Sequence, residues 1–150
     1  AQLKEEYKDV HYTVIMGAGN KNGAQVKKLA DSKGLNITFR KDVSVVSEYM
    51  SKADVALSSQ GRTMFELAHM TVPTVVIAQN KRELTHEFGY LANGFINLGL
   101  GENIDVSTIR ETLTWLYRSP QIRKQIKMQM SGYQLEKGIH RVKKLILGEK

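Results

Sequence analysis

Residues 58–78 read SSQGRTMFELAHMTVPTVVIA, a polar, glycine-containing break between two apolar segments. Upstream, DVALSS (Asp54–Ser59) has the short β-branched and aliphatic character of a strand. GRTMFELAHMT follows with apolar residues at helical spacing, and Met64, Phe65, Leu67 and Ala68 are suited to core packing. Pro73 then opens a second apolar run, PTVVIA, ending at Ala78. The stretch therefore predicts strand, helix, strand.

The same alternation extends in both directions. YTVIMG (Tyr12–Gly17) predicts a strand, NGAQVKKLADSKG a helix with Val26, Leu29 and Ala30 on one face and Gly34 as its C-terminal cap, and NITFR a second strand. SVVSEYMSKA predicts a short helix. Beyond Ala78, KRELTHEFGYLANGF predicts another helix and FINLG a short strand, with helices from Val106 to Arg118 and through the tail. Near-continuous apolar strands separated by helices imply a parallel sheet covered on both faces. The expected fold is α/β, a doubly wound parallel sheet of Rossmann-like type, with residues 1–118 as the lobe and 119–150 as a basic helical extension of the same domain.

In such sheets, ligands bind beyond the carboxyl ends of strands, so the loops after the strands are the candidate sites. A strand ending at Ser58 or Ser59 puts Gly61 at a helix start, where unpaired N–H groups point outward and no Cβ blocks an anion. Ser59, Gln60, Gly61, Arg62 and Thr63 together suit a diphosphate, Arg62 adding fixed charge and Thr63 a hydroxyl donor. Glu66 fits a sugar diol beside those phosphates, because a carboxylate accepts from both hydroxyls. A structural alternative is a capping box, in which Thr63 and Glu66 satisfy each other's backbone amides.

The first loop carries Gly17, Gly19 and Gly23, whose spacing loosely resembles a dinucleotide fingerprint; Gly17 and Gly19 equally suit a tight strand-to-helix turn. After the second strand stand Arg40, Lys41 and Asp42, and Arg40 beside the glycines keeps an NADP-binding oxidoreductase lobe open. His86 falls on the helix expected after the fourth strand, where a lone histidine among charged residues is ordinarily solvated.

Composition narrows the classes. The chain has no cysteine, and its four histidines stand far apart, so neither a disulfide framework nor a zinc site is expected. No apolar run reaches the roughly 18 residues of a membrane span, and AQLKEEYKDV lacks signal-peptide character, so a soluble cytoplasmic protein is expected. The net charge of +7 lies entirely in the tail, since residues 1–117 hold 13 basic and 13 acidic residues and residues 118–150 hold nine and two. A basic tail on a neutral body suits either the solvated face of a terminal helix or a non-catalytic module for polyanions or anionic membranes. Ile122 and Ile126, then Ile139, Val142 and Ile146, recur at helical spacing there, an apolar stripe that favours self-association into a homodimer if left uncovered.

The pattern AD-VALSS-x-G-x-T-x-x-E-L-A, followed by PT-VVIA-x-N and FINLG, resembles the C-terminal lobe of GT-B-type nucleotide-sugar enzymes. It is most similar to the nucleotide-sugar hydrolases of pseudaminic acid synthesis and relatives in spore coat polysaccharide synthesis, and more distantly to the peptidoglycan N-acetylglucosaminyltransferase. The resemblance implies a UDP-sugar ligand, with the diphosphate at Gly61 and Thr63, the ribose at Glu66, the base near Val43, and the sugar or acceptor at Gln79 and Asn80. It also implies that the general base resides in an N-terminal partner lobe, so that this chain alone holds no catalytic residue and needs no cofactor or metal. The first loop departs from the family's Gly-Gly-(Ser/Thr)-Asp-Pro, reading Gly17-Ala18-Gly19-Asn20-Lys21, and Arg62 stands where the family has a small residue.

Overall fold

A computed structural model describes residues 7, 9–17, 19–20, 22–34 and 36–148; Ala18 and Lys21 of the first loop lie outside them. The fold is α/β with parallel sheets, and the chain divides into two compact units, Ala1–Tyr49 and Met50–Lys150.

In the first unit, β1 (Tyr12–Met16) and β2 (Ile37–Lys41) pair in parallel, Tyr12 opposite Ile37 and Met16 opposite Lys41. The crossover between them is α1 (Gly23–Lys33), which ends where its sequence says it should: Gly34 takes a left-handed conformation (φ 57°) and donates its N–H to the Ala30 and Asp31 carbonyls. Of the expected apolar face, only Ala30 is buried, whereas Val26 and Leu29 are exposed. A two-stranded ribbon five residues long offers little surface to cover a three-turn helix. A four-residue helix, α2 (Ser47–Met50), spans the boundary between the units.

The second unit is built on a three-stranded parallel sheet in the order β3-β4-β5, comprising Ala56–Ser59, Thr74–Ala78 and Phe95–Leu100. Central β4 buries Thr74, Val75, Val76 and Ala78, as its unbroken apolar run requires. The connecting helix α3 (Thr63–His69) is shorter than expected. Its last turn is closed by Thr71 in the left-handed region (φ 53°), with the Val72 N–H donating to the Leu67 carbonyl at 2.9 Å. One core unites Met64 and Ala68 of α3, Val75 and Val76 of β4, Phe95 of β5, and Leu116, Ile126 and Met130 of two later helices. Those helices are α4 (Val106–Arg118), whose limits match the sequence reading, and α5 (Pro120–Ser131); α6 (Gly138–Leu147) ends the described chain. Phe65 is about half exposed, yet its ring stacks on Phe88 at 4.6 Å.

The helix expected over residues 81–95 does not form. Three short 3₁₀ turns, Glu83–Thr85, Glu87–Gly89 and Leu91–Asn93, occupy the segment. Tertiary partners take over its backbone: Gln129 donates to the Leu91 and Ala92 carbonyls, and the Asn93 side chain to the Phe88 carbonyl. Gly94 then turns with φ +85° to deliver Phe95 into β5. Among the described residues, no helix is long and apolar enough to cross a membrane.

Candidate functional site

Parallel pairing places Ser59 opposite Ile77, so the chain leaves β3 and β4 on the same edge of the sheet. Gln60 and Gly61 on one side, and Gln79 and Asn80 on the other, are thus brought together as expected for a site beyond the strand ends.

The start of α3 decides between the two roles open to Thr63 and Glu66. Helical geometry begins one residue early, with Arg62 at the N-cap in a helical conformation (φ −63°, ψ −26°) and no side-chain capping bond. Thr63 is therefore the first helical residue and not the cap, and the capping box is not made. The first amides to find partners are those of Met64, to the Gly61 carbonyl at 3.2 Å, and Phe65, to the Arg62 carbonyl at 3.0 Å. The preceding three backbone N–H groups, of Gly61, Arg62 and Thr63, donate to no described residue. Successive unpaired amides of this kind form a concavity for oxyanions. Among the described residues, exposed Arg62 and Glu66 make no ion pair, and neither the Thr63 hydroxyl nor the Glu66 carboxylate has a partner.

The opposite wall is organised by a residue that the sequence reading passed over. The Glu83 carboxylate accepts from the Gln79 N–H at 2.9 Å, and the Glu83 N–H donates to Asn80 Oδ1 at 3.1 Å. Asn80 and Glu83 stand three apart, the spacing of a cap with a returning carboxylate, and that N-x-x-E signal was available in the sequence. The second Glu83 oxygen lies 3.6 Å from where a Cβ on Gly61 would stand. A negative charge thus borders the position of Gly61.

Gln60 and His86 fix this loop from beneath. Gln60 is fully buried and donates its amide to the His86 carbonyl at 3.0 Å, while His86 Nδ1 contacts the Gln60 carbonyl at 2.7 Å. A carbonyl only accepts, so Nδ1 carries the proton. His86 is half-buried in a turn that it helps to hold, unlike the solvated helix residue expected from sequence. Gln60 Oε1 is buried without a partner, and the absent Cβ of Gly89 makes room for its side chain: a Cβ there would fall 3.0 Å from Gln60 Cγ and 2.7 Å from Met64 Sδ. Gln60 therefore presents its side chain to the interior rather than to the loop's open side.

The remaining candidates belong to the first unit. Gly17 and Gly19 follow β1, are exposed, and have open space where a Cβ would be. Neither adopts a left-handed φ, so the turn closed by the Asn20 N–H on the Gly17 carbonyl (3.0 Å) does not demand glycine. Half-buried Val43 follows β2, after Asp42 in the left-handed region (φ 52°), and Arg40 is exposed on β2. Among the described residues there is no cluster of three or more His, Asp or Glu side chains able to hold a metal ion.

No protein-family model matches this chain, and no curated protein or solved structure matches it significantly.

Proposed function

We propose that this chain is the nucleotide-binding lobe of a GT-B-type nucleotide-sugar enzyme, a doubly wound domain that acts in the cytoplasm on a UDP-sugar together with a partner lobe. The observation that carries this reading is the run of amides at Gly61, Arg62 and Thr63, one helical turn from the Glu66 carboxylate, none of which has a partner among the described residues. Amides and the Arg62 guanidinium would hold the diphosphate and stabilise its charge as the sugar departs, with water or an acceptor hydroxyl as nucleophile. Glu66 would hold the ribose diol, and Gln79 and Asn80 would face the sugar. Buried Gln60 and half-buried His86 support the loop, which leaves the general base to the partner lobe.

Calorimetric titration with UDP tests this assignment. Thr63→Ala is expected to weaken UDP about tenfold while leaving uridine unaffected, the usual size of one charge-assisted hydrogen bond. Glu66→Gln weakens UDP but not 2′,3′-dideoxy-UDP, which lacks the diol. Glu83→Gln keeps the bond from the Gln79 amide but removes the charge beside Gly61, and it tightens UDP binding several-fold. Equal affinity of the unmodified chain for UDP and uridine, or tighter binding of NADPH than of UDP, would overturn the reading.

A further inference from the structure

The last described helix leaves its apolar side uncovered. Ile139, Val142, Leu145 and Ile146 are 81, 56, 81 and 78% exposed, more than isolated surface aliphatics account for. An open apolar depression of about 560 Å³ runs along them, and its described lining residues all belong to α6. At 3.6 residues per turn these four side chains occupy an arc of about 120°. Arg141 and Lys143 flank the two edges of that arc and Lys144 lies behind it, while Gly138–Leu147 contains no acidic residue.

We propose that α6 docks the protein on an anionic lipid surface, lying in the headgroup plane with Ile139, Val142, Leu145 and Ile146 inserted, Arg141 and Lys143 against lipid phosphates, and Lys144 facing water. Charge complementarity selects this occupant. A second copy of the helix would bring three fixed positive charges against three more with no carboxylate between them. Ten residues also span only about 15 Å, too short for the roughly 800 Å² per partner of a stable dimer. A lipid interface takes the apolar arc and the flanking cations at once, and long basic side chains reach headgroups while their stems stay apolar. This inference is independent of the nucleotide assignment.

Co-sedimentation of the whole chain with vesicles tests it, comparing pure phosphatidylcholine with a mixture containing phosphatidylglycerol. Only the anionic vesicles are expected to bind. Arg141→Gln combined with Lys143→Gln lowers the partition about thirtyfold, and Ile139→Ser combined with Ile146→Ser lowers it more than tenfold. Because the chain has no cysteine, an environment-sensitive dye can be placed at Ile146→Cys or Lys144→Cys. Its emission is expected to shift to the blue on vesicles at the first position only. Equal binding to neutral vesicles, full binding by the isoleucine variant, or equally tight binding of duplex DNA that ignores that variant would each overturn the proposal. So would a concentration-dependent dimer, seen by ultracentrifugation, that the isoleucine variant abolishes.

Discussion

Helices α5 and α6 are alike on paper and opposite in the structure. Both are rich in lysine and arginine and carry aliphatic residues at helical spacing. In α5 those residues enter the core, with Ile126 5% and Met130 1% exposed; in α6 Ile139 and Ile146 stay in the open. What separates them is the set of partners that fix α5 in place. Arg123 donates to the Leu116 and Tyr117 carbonyls at the end of α4, closing the corner at Ser119–Pro120. Gln129 and the Tyr133 hydroxyl reach carbonyls around Leu91–Ala92, and Gly94 leaves room for Met130. Among the described residues, the corresponding anchor for α6 is one bond from Arg141 to the Gln134 carbonyl at 3.1 Å. An amphipathic pattern thus states that a helix has a face to bury, and neighbouring backbone decides whether the protein itself supplies the cover.

The contrast can be broken most directly at the buried side. Met130→Ala should destabilise the fold by about 2–5 kcal/mol in urea unfolding, as expected for a buried long side chain. Ile146→Ala, on the exposed face, should change stability by less than about 0.5 kcal/mol. Equal losses would mean that α6 is as embedded as α5. Next in size is Gly94→Ala, where a Cβ would stand 2.9 Å from Met130 Cγ on a backbone with φ +85°. A cost of about 1–3 kcal/mol follows from overpacking and left-handed strain, and Met130→Ala should relieve part of it in the double variant. Unchanged thermal unfolding of Gly94→Ala would remove Gly94 as the reason that Met130 fits. Among the buried-side variants, the smallest effect is expected for Gln129→Ala, about 1 kcal/mol for the lost bonds to Leu91 and Ala92. Hydrogen exchange should then quicken in residues 91–94 and leave α6 as it was, which sharpens the claim that α5 alone is tied to that turn.

Much of the framework is legible from residue order. β4 shows itself by the apolar run Val75–Ala78 behind β-branched Thr74, α4 by its period, and the end of α1 by Gly34, because each signal reflects local chain chemistry. Residues 81–95 mislead for the opposite reason. Their spacing suits a helix, but Gln129 and Asn93 compete for its carbonyls and Gly94 redirects the chain. The candidate site divides in the same way: Gly61, Thr63 and Glu66 stand out as a motif, yet whether Thr63 caps its helix depends on one residue of shift at Arg62. Glu83 could have been picked out by its distance from Asn80, whereas the pairing of Gln60 with His86, 26 residues apart, has no local trace.

What the sequence by itself determined is the α/β alternation, the parallel strands of β-branched residues, the concentration of charge in the tail and the polar break after β3, all consequences of side-chain period and backbone preference over a few residues. Only the tertiary structure decided that the Gly61–Thr63 amides find no partner among the described residues, that a carboxylate borders Gly61, that His86 is a pin, and that the apolar face of α5 is buried while that of α6 is not. Those outcomes depend on which distant carbonyls and cavities meet each segment when the chain closes, and a one-dimensional pattern carries no record of them.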